Sequence, residues 1–177
     1  MNDLTQFDNV TGLVGVKAIV FFSGQYFSAI YGQNRWFPNH PTQEASCAIG
    51  CPTVPSDRHQ GCGFHHHYDV DENKKFVSQI RGTADCIVLM ECFGRIVTHE
   101  NGFRSEKAKL IGVLNWDART MFFTLPAGLN SQSIPPRASE YFDVPLVDEH
   151  TATQLIHRQR SRLLGVDPNI SYKPTGQ

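Results

Sequence analysis

Neither sign of charge prevails in this chain, since 16 Lys and Arg face 17 Asp and Glu across 177 residues. A surface that draws its affinity from many phosphate contacts needs a positive field, so nucleic acid is not an expected partner. Long apolar runs are also missing. The most apolar early stretch, residues 13–22, carries Lys17 and is too short to span a bilayer, and Met1-Asn2-Asp3-Leu4 has no basic region of the kind a secretion signal needs. The expectation is a cytoplasmic protein with no membrane partner. The chain also lacks Gly-x-Ser-x-Gly, a phosphate-binding loop, a dinucleotide fingerprint and His-Glu-x-x-His, which removes the most recognisable enzyme classes without deciding whether the protein is an enzyme.

An even, secretion-linked cysteine set is absent as well. The five cysteines, Cys47, Cys51, Cys62, Cys86 and Cys92, point to thiols or a metal site rather than a disulfide framework. What the chain does have is apolar bulk: 40% hydrophobic residues, with 12 Phe, are enough for a folded core. Its length favours one domain over residues 1–177. Within it we expect a β-rich core at 12–125, a loop at 126–147, a helix at 148–165 and a tail at 166–177.

Runs of β-branched and aromatic residues at 16–22, 26–31 and 35–37, separated by turn residues, predict a three-stranded meander. A strand follows at 64–70 and a short helix at 71–80. A long β signal runs from Cys86 through Val97 to Asn101-Gly102, the pair that a type I′ hairpin turn favours. Residues 103–113 return as a strand, although 105–114 also read as a helix capped by Ser105. Residues 121–125 offer one more short strand. Near the C-terminus, Asp148 can cap a helix whose Ala152, Leu155, Ile156 and Leu163 share a face and which Gly165 ends. The fold class is therefore α+β and predominantly β: an antiparallel meander or a small rolled barrel, with a short middle helix and a C-terminal helix.

The distinctive chemistry lies between Cys47 and His67. Residues 42–63 are rich in Pro, Gly, Ser and Cys and poor in large apolar groups, so their order must come from something besides a local core. Cys47, Cys51, His59 and Cys62 supply the soft and borderline ligands that zinc takes in a structural site. Such a clip would turn metal binding directly into folding energy. An alternative grip uses His65, His67 and Glu72, because alternate residues on a strand share a face. A third group, His99, Glu100 and Arg104, brackets the hairpin turn and offers a base, an acid and a cation as catalytic candidates. Cys86 and Cys92 sit in an apolar strand and read as core packing. Arg158, Arg160 and Arg162 with His157 give the last helix a basic face, read as solvated.

Several of these residues also carry a resemblance. Trp36-Phe37-Pro38, Ala45-Ser46-Cys47, Cys62-Gly63-Phe64 and Phe93-Gly94-Arg95-Ile96-Val97, leading through His99-Glu100-Asn101-Gly102-Phe103-Arg104 to Glu106 and Ala108, resemble a bacterial family of uncharacterised proteins over residues 13–114. Its pattern is Trp-x-Pro, Ala-x-Cys, Cys-x-Cys-Gly and Gly-x-Val-x-x-His-Glu-x-Gly-aromatic-Arg. Gln60 stands where the family has the first cysteine of Cys-x-Cys, Phe93 replaces a tryptophan, and His65-His66 replaces Tyr-Ala. The resemblance supports the choice of motifs and implies no activity. Two functional expectations stand side by side. One is a binding module for a protein or small-molecule partner, with a structural zinc and the aromatics Tyr31, Trp36 and Phe37 offered outward. The other is a metal-dependent enzyme on His65, His67 and Glu72.

Overall fold

A computed structural model describes residues 5–22, 24–28, 35–38, 42–47, 49–56, 62–79, 86–114 and 138–165. The elements run β1 (Thr5–Phe22), β2 (Gln25–Ser28), β3 (Arg35–Trp36), β4 (Gln43–Glu44), β5 (Phe64–His67), α1 (Val70–Gln79), β6 (Cys86–His99), β7 (Gly102–Leu114), α2 (Ala138–Phe142), β8 (Leu146–Val147) and α3 (Glu149–Leu164). The α+β, predominantly β class is what the structure shows. β1, β2 and β3 form the expected antiparallel meander. The expected strand at 121–125, the tail from residue 166, and Tyr31 lie outside the described residues.

The strand pairings close into a circuit. β1 pairs β6, β6 pairs β7, β7 pairs β5, and β5 returns to β1 through Val16 opposite His67. This is the rolled arrangement. Closure brings side chains of opposite walls together, and the wall at Gly15 has room for none: a Cβ there would lie 2.7 Å from a Phe103 ring carbon and 2.9 Å from His66 Cβ. Leu13, Ile19, Phe64, Ile87, Leu89, Met90, Ile96 and Phe103 form the buried interior.

Several expectations about the sheet are corrected. β1 starts at Thr5 rather than in the middle of the apolar run. Its first half pairs β6 with register shifts after Phe7 and Val10, and Asn9 (φ 57) and Gly12 (φ 75) adopt left-handed backbone there. Those shifts break the two-residue alternation by which a strand is recognised. Residues 105–114 are strand, not helix, because β7 is paired on both edges, to β6 on one and to β4, β5 and β8 on the other. Tertiary pairing overrides local propensity here. The hairpin turn is Glu100-Asn101, since His99 already faces Gly102 across the ladder. Gly102 is required for a different reason than a turn: any Cβ there would overlap the His66 carbonyl oxygen on β5.

The span expected as loop at 126–147 contains α2 and β8, whose Leu146-Val147 extend the sheet in parallel beside Val113-Leu114. α3 forms as its sequence indicates. The Asp148 carboxylate accepts the Thr151 N–H at 2.9 Å, Gly165 ends the helix at φ 64, and Ala152 and Ile156 are buried against the sheet. One of its basic residues is not simply solvated: the Arg160 guanidinium lies 4.2 Å over the Tyr68 ring. Trp36, expected at the surface, is buried and donates through Nε1 to Ser28 Oγ at 3.0 Å; Phe37 beside it is exposed.

The closure gives a direct test. Gly15→Ala forces a methyl group between the Phe103 ring and His66, and urea unfolding should show a loss of about 1–3 kcal/mol. A change within about 0.5 kcal/mol, as at an ordinary surface site, would mean the walls do not meet there.

Candidate metal centre

Three segments carry the loop thiols to the same place. The first is anchored by β4, where Gln43 and Glu44 pair Ala108 and Lys107 of β7, and the Ala45 N–H extends this contact to the Glu106 carbonyl at 2.7 Å. Cys47 follows three residues after Glu44. The Gly50 N–H then donates to the Cys47 carbonyl at 3.0 Å, and Gly50 takes φ 70, so the chain reverses and Cys51 comes back beside Cys47. Cys62 arrives from the other direction, two residues before β5.

Cys62 is the fixed member of the group. It is fully buried, its Sγ accepts the Ser56 N–H at 3.0 Å, and its carbonyl accepts Arg104 Nη1 at 3.2 Å. Gly63, at φ 93, passes so close to its neighbours that a Cβ would lie 2.7 Å from Pro55 Cβ and 3.2 Å from the Ser105 carbonyl oxygen. The loop is thereby pressed on β7 at Gly63, with Pro55 packed over it.

The Sγ atoms of Cys47, Cys51 and Cys62 all lie within 4.8 Å of one another. Four-coordinate zinc with sulfur at 2.3 Å places adjacent sulfurs about 3.8 Å apart. The group therefore fits such an ion with small side-chain adjustments, and it could hold a metal. Cys47 and Cys51 are half-buried while Cys62 is buried, so one side of the group faces outward. Burial pushes the Cys51 thiol up, and the hydrogen bond and charge of Cys47 push it further. His59, the fourth ligand expected from the sequence, lies outside the described residues.

The other candidate sets are not assembled. Among the described residues, the three cysteines form the one group of three or more His, Cys, Asp or Glu side chains with all donor atoms this close. His65 and His67 do share a face of β5, but Glu72 does not join them; its carboxylate bonds Lys75 Nζ at 2.6 Å on α1. His67 instead packs on the Phe76 ring, and its pKa is lowered by burial and then by the nearby His99 and Lys17. At the hairpin, Glu100 is exposed, His99 is half-buried with a pKa lowered by burial and by Arg104, and Arg104 is buried beneath the cysteine loop. Arg104 braces Cys62 through its Nη1, while its charge still reaches His99.

The sequence reading missed an interior polar group. His66 is buried, with Nε2 3.0 Å from Ser105 Oγ and 3.4 Å from Cys92 Sγ, and its ring stacks on Phe103 at 5.0 Å. Lys17 is buried as well and donates to the His65 carbonyl at 2.9 Å. The parity of β5 was the available signal: Phe64 is an interior residue, so His66 must be one too. Cys86 and Cys92 are buried, as core packing requires. Burial pushes the Cys92 thiol up, so it is an inert thiol rather than a nucleophile. No helix among the described residues is long and apolar enough to cross a membrane. No family model, curated protein or solved structure matches the chain, so the motif resemblance adds nothing to the site beyond the residues themselves.

Lys17 yields a pH prediction with a definite sign. Burial lowers its pKa from 10.5 to about 8, against the opposing pull of Cys92. The unfolded chain therefore holds more protons than the folded one between about pH 8 and pH 10.5, and this group's contribution to stability rises with pH through that window. Lys17→Met should be more stable than the parent at pH 7, with the advantage shrinking by pH 10. An advantage that stays constant across that range would refute a buried, proton-sensitive amine.

Proposed function

We propose that the protein is a non-enzymatic binding module whose Cys47–Cys62 loop is held by a structural zinc ion. The observation that carries this reading is the convergence of three thiols, from two loop segments and the base of β5, in a part of the chain with little apolar surface of its own. Sulfur-rich donors favour zinc among the common resident ions, and three thiolates closed by a fourth protein ligand would serve structure rather than chemistry. His59 is the sequence's offer for the fourth position.

The binding role is supported by where the loop lies. Pro52, Thr53 and Val54 form one wall of a cleft whose other walls come from β1, β4, β6 and β7. Ordering the loop shapes that cleft, so the metal and the binding surface are parts of one arrangement. The exposed side chain of Ile49, at the turn between Cys47 and Cys51, gives the same loop an outward apolar contact point.

Elemental analysis of the purified, tag-free chain tests this. One zinc per chain is expected, lost in Cys47→Ser and in Cys62→Ser, and retained in a His65→Ala/His67→Ala double variant. A strong chelator should lower the melting temperature of the parent and leave that of Cys47→Ser unchanged. Zinc lost only with the histidine pair would replace the clip by a His65/His67 site, and metal-free protein of unaltered stability would refute both.

A further inference from the structure

We propose that the cleft beside the cysteine loop binds a small zwitterionic molecule of the free α-amino-acid class, with its carboxylate on Arg95 and its ammonium group on Glu44 and Glu106. This deepens the binding-module reading and rests on it for the position of the loop wall.

The cleft encloses about 370 Å³, within the usual size range of small-molecule sites. Its floor is where two irregularities meet. β1 is bulged on both sides of Val10, β6 shifts register against β7 between Phe93 and Ile96, and Val10 pairs Gly94. Bulges of this kind re-aim side chains and are frequent beside binding sites. Asn9, a non-glycine residue in left-handed backbone, sits in the same irregularity.

The side chain re-aimed here is Arg95. Its backbone N–H donates to Glu106 Oε2 at 2.9 Å, and its Nε donates to Asp8 Oδ1 at 3.2 Å. Asp8 is itself braced by Gln6 Nε2 at 3.2 Å. Glu106 is locked because Gly94, at φ 79, leaves it the space a Cβ would take. The guanidinium is thus held through its inner nitrogen, mostly buried, while Nη1 and Nη2 have no partner among the described residues. That end is the fork that a carboxylate fits.

The rest of the lining says what else the ligand must carry. Asp8, Glu44 and Glu106 set three carboxylates against the single guanidinium of the lining, and Lys107, 3.0 Å from Glu44 and 3.9 Å from Glu106, offsets them only in part. A simple anion would meet that excess negative charge, and a simple cation would leave the Arg95 fork unused. A ligand with both charges satisfies each. The Thr53 hydroxyl, on the loop wall, adds a neutral hydrogen-bonding group.

The test is calorimetric titration of the full chain as purified with the common free α-amino acids, followed by the decarboxylated amine and the deaminated acid of whichever binds, and by inorganic phosphate. At least one amino acid should bind, and losing the charged hydrogen bonds of either end should weaken binding about ten- to a hundredfold. Arg95→Gln should match the loss seen with the amine. Because that change also frees Asp8, Glu44→Gln at an exposed position gives an independent reading: weaker binding of the amino acid with an unchanged melting temperature. Absence of binding by every amino acid at millimolar concentration, or equal affinity for phosphate or the deaminated acid, would overturn the proposal. Zinc content measured on the same samples separates the two readings. A metal-loaded chain that binds no amino acid defeats this site alone, and an amino-acid-binding chain without metal defeats the clip alone.

Discussion

The structure depends on a four-residue strand, β5, fitting between β1 and β7. Its insertion closes the sheet, and it is possible only because the neighbouring walls yield space at Gly15 and Gly102, where any side chain would meet His66. Once β5 is in place, the residues at its base are fixed as well. Cys62 and Gly63 are drawn against β7, Arg104 reaches the Cys62 carbonyl, and the loop that precedes them must come back to the same end of the barrel. The thiol group is a consequence of closure rather than a separate motif placed on the surface.

That origin explains the division of labour in the loop. Cys62 is set by the barrel, whereas Cys47 and Cys51 are brought to it by β4 and by a turn at Gly50. A loop with few apolar side chains gains little from burial, and the backbone bonds found there, each worth about 1 kcal/mol net, do not offset the entropy of ordering it, about 1–2 kcal/mol per residue. A metal ion shared by three thiolates would supply free energy of the required size. In the proposed arrangement the ion would stabilise a wall, and the selectivity for a ligand would lie in Arg95 and the carboxylates opposite it.

Much of the fold was legible in the sequence, and the failures have identifiable physics. The meander, α1 and α3 were readable because their apolar spacing and capping residues agree, as with Asp148 and Gly165. The first half of β1 was not, since two bulges disrupt its alternation. The return strand β7 was ambiguous because Ser105 to Leu114 has a helical reading that only pairing on both edges overrules. In the site, the cysteines were legible by residue type and closeness in sequence. His66 and Arg104 were hidden by their neighbours: three consecutive histidines conceal which one points inward, and an arginine beside a turn looks solvated until its partner, the Cys62 carbonyl, is known. The Arg95 fork left no sequence signal, because it is aimed by bulges in two strands distant in the chain.

The proposed clip is defined by the first coordination shell of its ion. Zinc-edge X-ray absorption on the protein as purified reads that shell directly. Three sulfur neighbours at about 2.3 Å with one nitrogen or a fourth light ligand is the predicted result; a shell of nitrogen and oxygen alone, or no bound zinc, would contradict the thiolate clip.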